Sequence, residues 1–231
     1  MPSWRIEHVS GDVGAFHARG LPADQRVATF FRAVSPALVL GSSQRDESVD
    51  VEAAERQGIE VVRRRSGGGG VLLWPDEFVW LDLEIPASDD LWSDDVGRSM
   101  WWAGELWRVA LADLEPQATV HHGRLVRTHW SPDVCFAGTG PGEVLVGDAK
   151  LVGISQRRTR LAARFQTMAH LRWRPDIVAS LVAAGPLVDD LAPLVHTCTA
   201  SAQLITDRLT AALSRSYRIE RELGRGGMGI V

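Results

Sequence analysis

The hydrophobic positions of this chain fall mostly into short runs punctuated by Gly, Pro and Asp, with few long amphipathic stripes. ALVLG (37–41) is an apolar run closed by Gly and predicts a buried strand. SVDVEAAERQG (48–58) predicts a short helix stopped at Gly58. IEVVRRR (59–65) predicts a strand running into SGGGG. VLLW, a turn at PDE and a strand FVWLDLEIP ended by Pro86 come next. Residues 22–34, after GLPADQ, predict a helical start. SDDVGRSMWWAGELWRVALADL (93–114) carries the clearest helical stripe, through Val96, Met100, Trp107, Ala110, Leu111 and Leu114. Ser93 is its expected cap, with Asp94 and Asp95 in the first turn. Its tryptophans are expected in the core. Shorter strands are predicted at QATVHH, DVCFAG, GEVLVG, KLVGISQRR and RFQTMAHLRW, and two or three helices within 175–215. Strands in the middle with helices around them predict an α+β fold, its sheet mixed and largely antiparallel.

The 231 residues suit one main unit, expected over 1–215, with a weakly ordered Gly-rich tail at 216–231. A formal net charge of −4 gives no global pull toward nucleic acid or anionic lipid. No apolar run approaches the roughly 18 residues of a membrane span. MPSWRIEHVSGDVG has no apolar signal core, so a cytoplasmic protein without membrane or nucleic-acid partners is expected. The cysteines, Cys135 and Cys198, lie in no CxxC. His121 and His122 are adjacent and would point to opposite faces of a strand, so no side-chain metal site is expected.

One compositional feature changes the picture. Of 25 basic residues, 24 are arginine, and Lys150 is the sole lysine. Lys differs from Arg where a compact point charge must enter a space too tight for a planar guanidinium. In an extended segment Lys150, Val152 and Ile154 share one face, and Leu151, Gly153 and Ser155 the other. An inward Lys among apolar neighbours needs an anionic or carbonyl partner. In RRRSGGGG (63–70), consecutive glycines bare the backbone amides, which can form an anion-binding concavity; Arg63 and Arg65 share one face and Arg64 takes the other. In SPDVCFAGTGPGEV (131–144), Asp133 and Cys135 share a face of the expected strand. Cys135 is either a small core residue or a thiol whose reactivity a nearby cation could raise.

RRRSGGGG, the hairpin after it, DVCFAG and then AKLVGISQRR together resemble the lipoate–protein ligase A family, within the biotin/lipoate ligase and lipoyl/octanoyl transferase superfamily. The matching positions are Arg64, Ser66–Gly69, Lys150, Gly153, Gln156 and Arg157, and LVLGSSQ (38–44) resembles the strand and turn that precede the Gly-rich loop. The resemblance spans roughly 30–175. It implies the biotin/lipoate ligase catalytic-domain fold. It also implies a reaction: lipoate and ATP, with Mg2+, give lipoyl-adenylate, whose acyl group passes to a lysine of a lipoyl carrier domain, of 2-oxoacid dehydrogenases or of the glycine cleavage H protein. It implies acyl-adenylate contacts from Arg64, Ser66, Gly67, Gly68, Gly69, Gly70, Gly153 and Ser155, a carbonyl and phosphate contact from Lys150, and an amine-placing role for Asp133.

Departures from that pattern motivate two alternatives. LLWPDEF holds no His where the family often has a His-Asp pair past the glycines, Pro132 stands at the family's Asn, and RFQTMAH replaces a His-rich strand. Cys135 ahead of the lysine strand resembles octanoyltransferases that take octanoyl from acyl carrier protein through a thioester, without ATP. A non-catalytic acyl-binding protein is the other alternative. The tail SYRIERELGRGGMGIV, with Gly224, Gly226 and Gly229, resembles the opening of a bacterial serine/threonine kinase domain. The Lys, catalytic loop and metal-binding Asp of a kinase do not follow it, so no phosphoryl transfer is expected there.

Overall fold

The structure is a computed structural model and describes residues 3–21 and 24–215. The kinase-like stretch 216–231 lies outside the described residues. In chain order the elements are β1 (Arg5–Gly11), α1 (Val13–Ala18), β2 (Val27–Ala33), β3 (Ala37–Leu40), α2 (Val51–Arg56), β4 (Glu60–Arg63), β5 (Val71–Leu73) and β6 (Phe78–Pro86). They continue with α3 (Trp101–Ala110), β7 (Thr119–Val120), β8 (Val144–Val146), β9 (Ala149–Arg158), β10 (Ala162–His170), α4 (Pro175–Leu181), α5 (Val188–Leu191) and α6 (Ala202–Arg215). No helix among the described residues is long and apolar enough to cross a membrane.

Seven strands form one sheet in the order β1-β2-β6-β10-β9-β8-β7, and three form a second in the order β4-β3-β5. In the large sheet only β1 and β2 run parallel; its other pairs are antiparallel. The α+β expectation, with a mixed and largely antiparallel sheet, holds. Period-two alternation builds the layers. On β6, Val79, Leu81, Leu83 and Ile85 join Phe165 of β10 against Trp102, Leu106 and Trp107 of α3 and Ile205 and Leu209 of α6. Phe78 and Trp80 point the other way and meet Val39, Val71 and Leu73 of the small sheet. The opposite face of that sheet, Leu38, Leu40 and Leu72, packs on Ala53 and Ala54 of α2 and Val178 and Leu181 of α4. The molecule is therefore layered as helices, large sheet, small sheet, helices.

Three expectations are corrected. Within 22–34 a strand forms, Val27–Ala33, because both of its edges are taken, by β1 and by β6. The helix expected over 93–114 is shorter. Asp95, not Ser93, accepts the amides of Gly97 and Arg98, and the α-helix proper begins at Trp101. Val96 is left exposed. DVCFAG is no strand: a single bridge joins Val134 to Gly70, and Cys135–Ala137 is a 3₁₀ turn.

Two close backbone approaches fix the layers. A Cβ added at Gly41, after β3, would enter the Gly68 carbonyl, and one at Gly104 of α3 would enter the Gly142 carbonyl. Gly142 itself sits at φ +82° against the Met100 carbonyl. Gly104→Ala must therefore push α3 away from the 140–142 turn. It should cost about 1–3 kcal/mol, the usual range for overpacking, in a urea unfolding titration.

Candidate active site

A cavity of about 730 Å³ opens at the seam between the two sheets. The 43–48 loop after β3, Gly67–Gly69, the 131–135 turn, the Gly140–Glu143 turn and β9 line it, with Val96 and Met100 ahead of α3. The short β8–β9 turn, with Gly147 at φ +59°, returns the chain so that Lys150 of β9 and Glu143 ahead of β8 stand side by side.

Lys150 is on the cavity wall, yet its side chain is only 2% exposed. Nζ lies 2.7 Å from Glu143 Oε2 and donates to the Cys135 carbonyl at 2.8 Å. The Phe136 ring is 5.2 Å from Nζ, and a Cβ at Gly153 would crowd that ring at 3.1 Å. The inward lysine thus has both partners its burial demands, one anionic and one carbonyl. Glu143 was not singled out from the sequence. Its signal was a carboxylate in GPGEVLVGDAK, seven residues before the only lysine, and a hairpin brings the two together. Glu143 is itself fixed: Oε2 accepts from Gly140 N at 2.6 Å and Oε1 from Ile154 N at 3.1 Å.

The four-glycine loop is held from behind. Arg64 is buried and donates to the carbonyls of Gly67 (2.8 Å), Gly69 (3.0 Å) and Val39 (3.3 Å). Its fork satisfies carbonyls that the bare turn would otherwise orphan. Arg64 thus does not line the cavity, contrary to the expectation of a basic side chain facing ligand. Arg63 binds the carbonyls of Gly41 and Gln44 and the Asp46 carboxylate, and Arg65 is exposed. With its carbonyls turned to Arg64, the loop leaves the amides of Gly67, Gly68 and Gly69 unpartnered among the described residues, on the cavity wall. Gly68, at φ +101°, needs to be Gly for this. Gly70 instead donates its N–H to Asp133 O, and Cys135 N donates to Gly70 O.

Of the sequence-derived candidates, Lys150, Asp133, Cys135, Gly67, Gly68, Gly69 and Ser155 line the cavity, whereas Arg64, Ser66, Gly70 and Gly153 stand behind it. Asp133 and Cys135 do face the same space, though from a turn. The Cys135 thiol is 3.8 Å from Arg64 Nη2. A polar chain runs inward from the wall: Ser155 Oγ meets Ser66 Oγ at 3.0 Å, Ser66 donates to Gln166 Oε1 at 2.7 Å, and Gln166 Nε2 donates to His17 Nδ1 at 3.1 Å. The sequence marks neither Gln166 nor His17: α1, which carries His17, is too short for a helical stripe, and Gln166 is one polar position within a predicted strand. Among the described residues no group of three or more His, Cys, Asp or Glu stands together to hold a metal.

A family model described as the lipoyl protein ligase A/B catalytic domain matches residues 15–174. The chain belongs to this family. It is therefore an enzyme of the lipoate ligase and lipoyl/octanoyl transferase superfamily. Its fold matches that of a T. acidophilum protein assigned as a lipoate protein ligase, with bound lipoic acid (TM-score 0.72, 16% identity, covering 94% of this chain and 87% of that one). It also matches a bi-partite lipoate protein ligase from Thermoplasma acidophilum, described with its E2 lipoyl domain (0.72, 15%, 94% and 85%). A lipoate-protein ligase A bound with ATP matches as well (0.69, 17%, 94% and 85%). No curated protein matches the sequence.

Two buried histidines set the acid limit of the lipoyl ligase fold here. Burial, then Arg64, Arg164 and Arg19, holds His17 at a pKa of about 3, and burial alone does the same to His170. Both lie below the ordinary 6.5, so the unfolded chain binds more protons as pH falls under 6.5. Their contribution is intact above that pH and lost toward 3. Asp82 works in the opposite sense: burial raises it to about 6, against the pull of Arg164, Trp80 and Arg19. It takes up its proton in the native state first. Unfolding free energy should fall between pH 6 and 4 by about 1.4 kcal/mol per pH unit, two histidine protons against one aspartate proton. His170→Phe should nearly flatten that slope in denaturant titrations across pH.

Proposed function

We propose that this enzyme attaches a lipoyl group, or the related octanoyl group, to a carrier-domain lysine, through an acyl-adenylate made from lipoate and MgATP. The carrying observation is a single buried ammonium, Lys150, lining the same cavity as the unpartnered amides of Gly67–Gly69. The acyl chain would lie along Met100, Leu125, Val96 and Ile154, with its carbonyl toward Lys150 Nζ. Two positions on the same wall, Arg45 and Arg127, offer cations for phosphates, so the donors present suit ATP. Lys150 and the loop amides would stabilise the negative charge that develops on the acyl oxygen as the lysine amine adds. Asp133, half-buried at the wall, is the carboxylate proposed to position that amine. Arg64, Ser66, Gly70 and Gly153 serve by holding the loop and Phe136. The family resemblance supports lipoyl carrier domains, of 2-oxoacid dehydrogenases or the glycine cleavage H protein, as partners. We take residues 1–215 as the catalytic unit, with a cytoplasmic location.

One observation favours a second reading. The Cys135 thiol is on the cavity wall, and its own carbonyl holds Lys150. As thiolate, Cys135 would attack an octanoyl thioester of acyl carrier protein and release the carrier thiol. The carrier-domain amine would then attack the acyl-Cys135, returning the thiolate, with no ATP.

Incubation with apo lipoyl domain, and either lipoate plus MgATP or octanoyl carrier protein, separates these readings by mass spectrometry of the domain. Modification only with ATP identifies the ligase. Modification only with the thioester, lost in Cys135→Ala, identifies the transferase. Neither leaves an acyl-binding protein without turnover. Lys150→Arg should cut either activity by at least about 100-fold, because a planar fork cannot keep both the Glu143 and Cys135 contacts; full turnover in that variant would remove Lys150 from the chemistry.

A further inference from the structure

The pairing of Lys150 with Glu143 has a bearing on which acyl species the cavity holds. A lone buried lysine at the acyl centre would be a carboxylate receptor, drawing the free fatty acid hardest. Here Nζ already has a carboxylate at 2.7 Å. That carboxylate is not free to swing aside, because two backbone amides, Gly140 N and Ile154 N, hold its oxygens. The turn carrying it is jammed under α3 by Gly142 and Gly104. An incoming carboxylate at Nζ would therefore face Glu143 across the same ammonium, with Asp133 as a further anion on the wall. An uncharged acyl carbonyl would meet only the remaining N–H of Nζ and the amides of Gly67–Gly69. The Arg64 guanidinium is turned to the carbonyls behind the loop, and Arg45 and Arg127 line the cavity from other segments of the chain.

We infer that Glu143 is a specificity-determining residue that makes the acyl centre electroneutral, so that the cavity binds the uncharged, activated acyl carbonyl in preference to the free acid. This rests on the reading of Lys150 as the acyl-carbonyl contact. It holds for either donor, since an acyl-adenylate and a thioester present the same uncharged carbonyl. It is also the arrangement that favours the reactive species over the starting carboxylate.

Isothermal titration of the full chain with lipoate and with its neutral amide, lipoamide, tests this without turnover. The wild-type protein should bind lipoamide at least as tightly as lipoate. Glu143→Gln, which keeps the hydrogen-bonding shape and removes the charge, should shift the ratio toward lipoate by about tenfold or more, the scale of a like-charge juxtaposition relieved in a closed site. Glu143→Gln combined with Lys150→Met should return the ratio to near the wild-type value. A wild-type preference for lipoate of tenfold or more overturns the inference by itself, and decides the matter even if Glu143→Gln does not fold. Binding of both ligands with a ratio unchanged in folded Glu143→Gln also overturns it, while leaving the acyl-site reading intact. Binding of neither ligand overturns both.

Discussion

One buried ion pair organises this molecule around its cavity. An ammonium removed from water is costly unless it is paired and hydrogen-bonded. Meeting that demand at Lys150 recruits a carboxylate from the turn ahead of β8, a carbonyl from the 3₁₀ turn at Cys135 and a ring from Phe136. The partners arrive from two stretches of chain, the Cys135–Ala137 turn and the turn that carries Glu143. The geometry of the pair thus ties β9 to the 135–137 and 140–143 segments, and those segments form the cavity wall.

The Gly-rich loop solves a complementary problem. Four glycines in a row cannot anchor themselves with side chains. Arg64 anchors them from behind by taking their carbonyl oxygens, which turns the amides outward. Gly70 then donates to the Asp133 carbonyl and accepts from Cys135 N, which ties the loop to the Cys135 turn across the seam. The positive end of each unpartnered amide and the Lys150 ammonium converge on one space from opposite sheets. This convergence suits charge developing on a carbonyl oxygen, and it is a property of neither sheet alone.

Behind that surface lies a polar interior. Arg164, Glu84 and Asp82 are charged groups clustered on the face of β6 and β10 that looks toward α1, and Arg19, just past α1, reaches Asp82. Ser66, Gln166 and His17 extend the polar layer to the cavity through Ser155. The opposite face of the same strands is apolar and packed against α3 and α6. One face of the large sheet is thus largely apolar, whereas the other is divided between an apolar patch around Phe78, Trp80 and Met168 and a hydrogen-bonded patch that reaches the Gly-rich loop through Ser66.

Much of this was legible in the sequence because it is local. Strand runs such as FVWLDLEIP and RFQTMAHLRW, Gly58 after a short helix, and the order of the Gly-rich loop and lysine strand each encode an element within a few residues. The solitary lysine in an arginine background marked a position on the cavity wall where a compact, buried charge is held. What the sequence could not decide were the partners. Val27–Ala33 became a strand because two neighbouring strands claimed its edges. Arg64 turned inward because the carbonyls of its own Gly-rich loop and of Val39 needed donors, and Glu143 became the mate of Lys150 because a hairpin and a helix contact at Gly104 put it there. The chain by itself determined which groups could do chemistry. Only the tertiary structure decided which of them meet, because burial forces each charge and each orphaned amide to find a partner that may lie anywhere along the sequence.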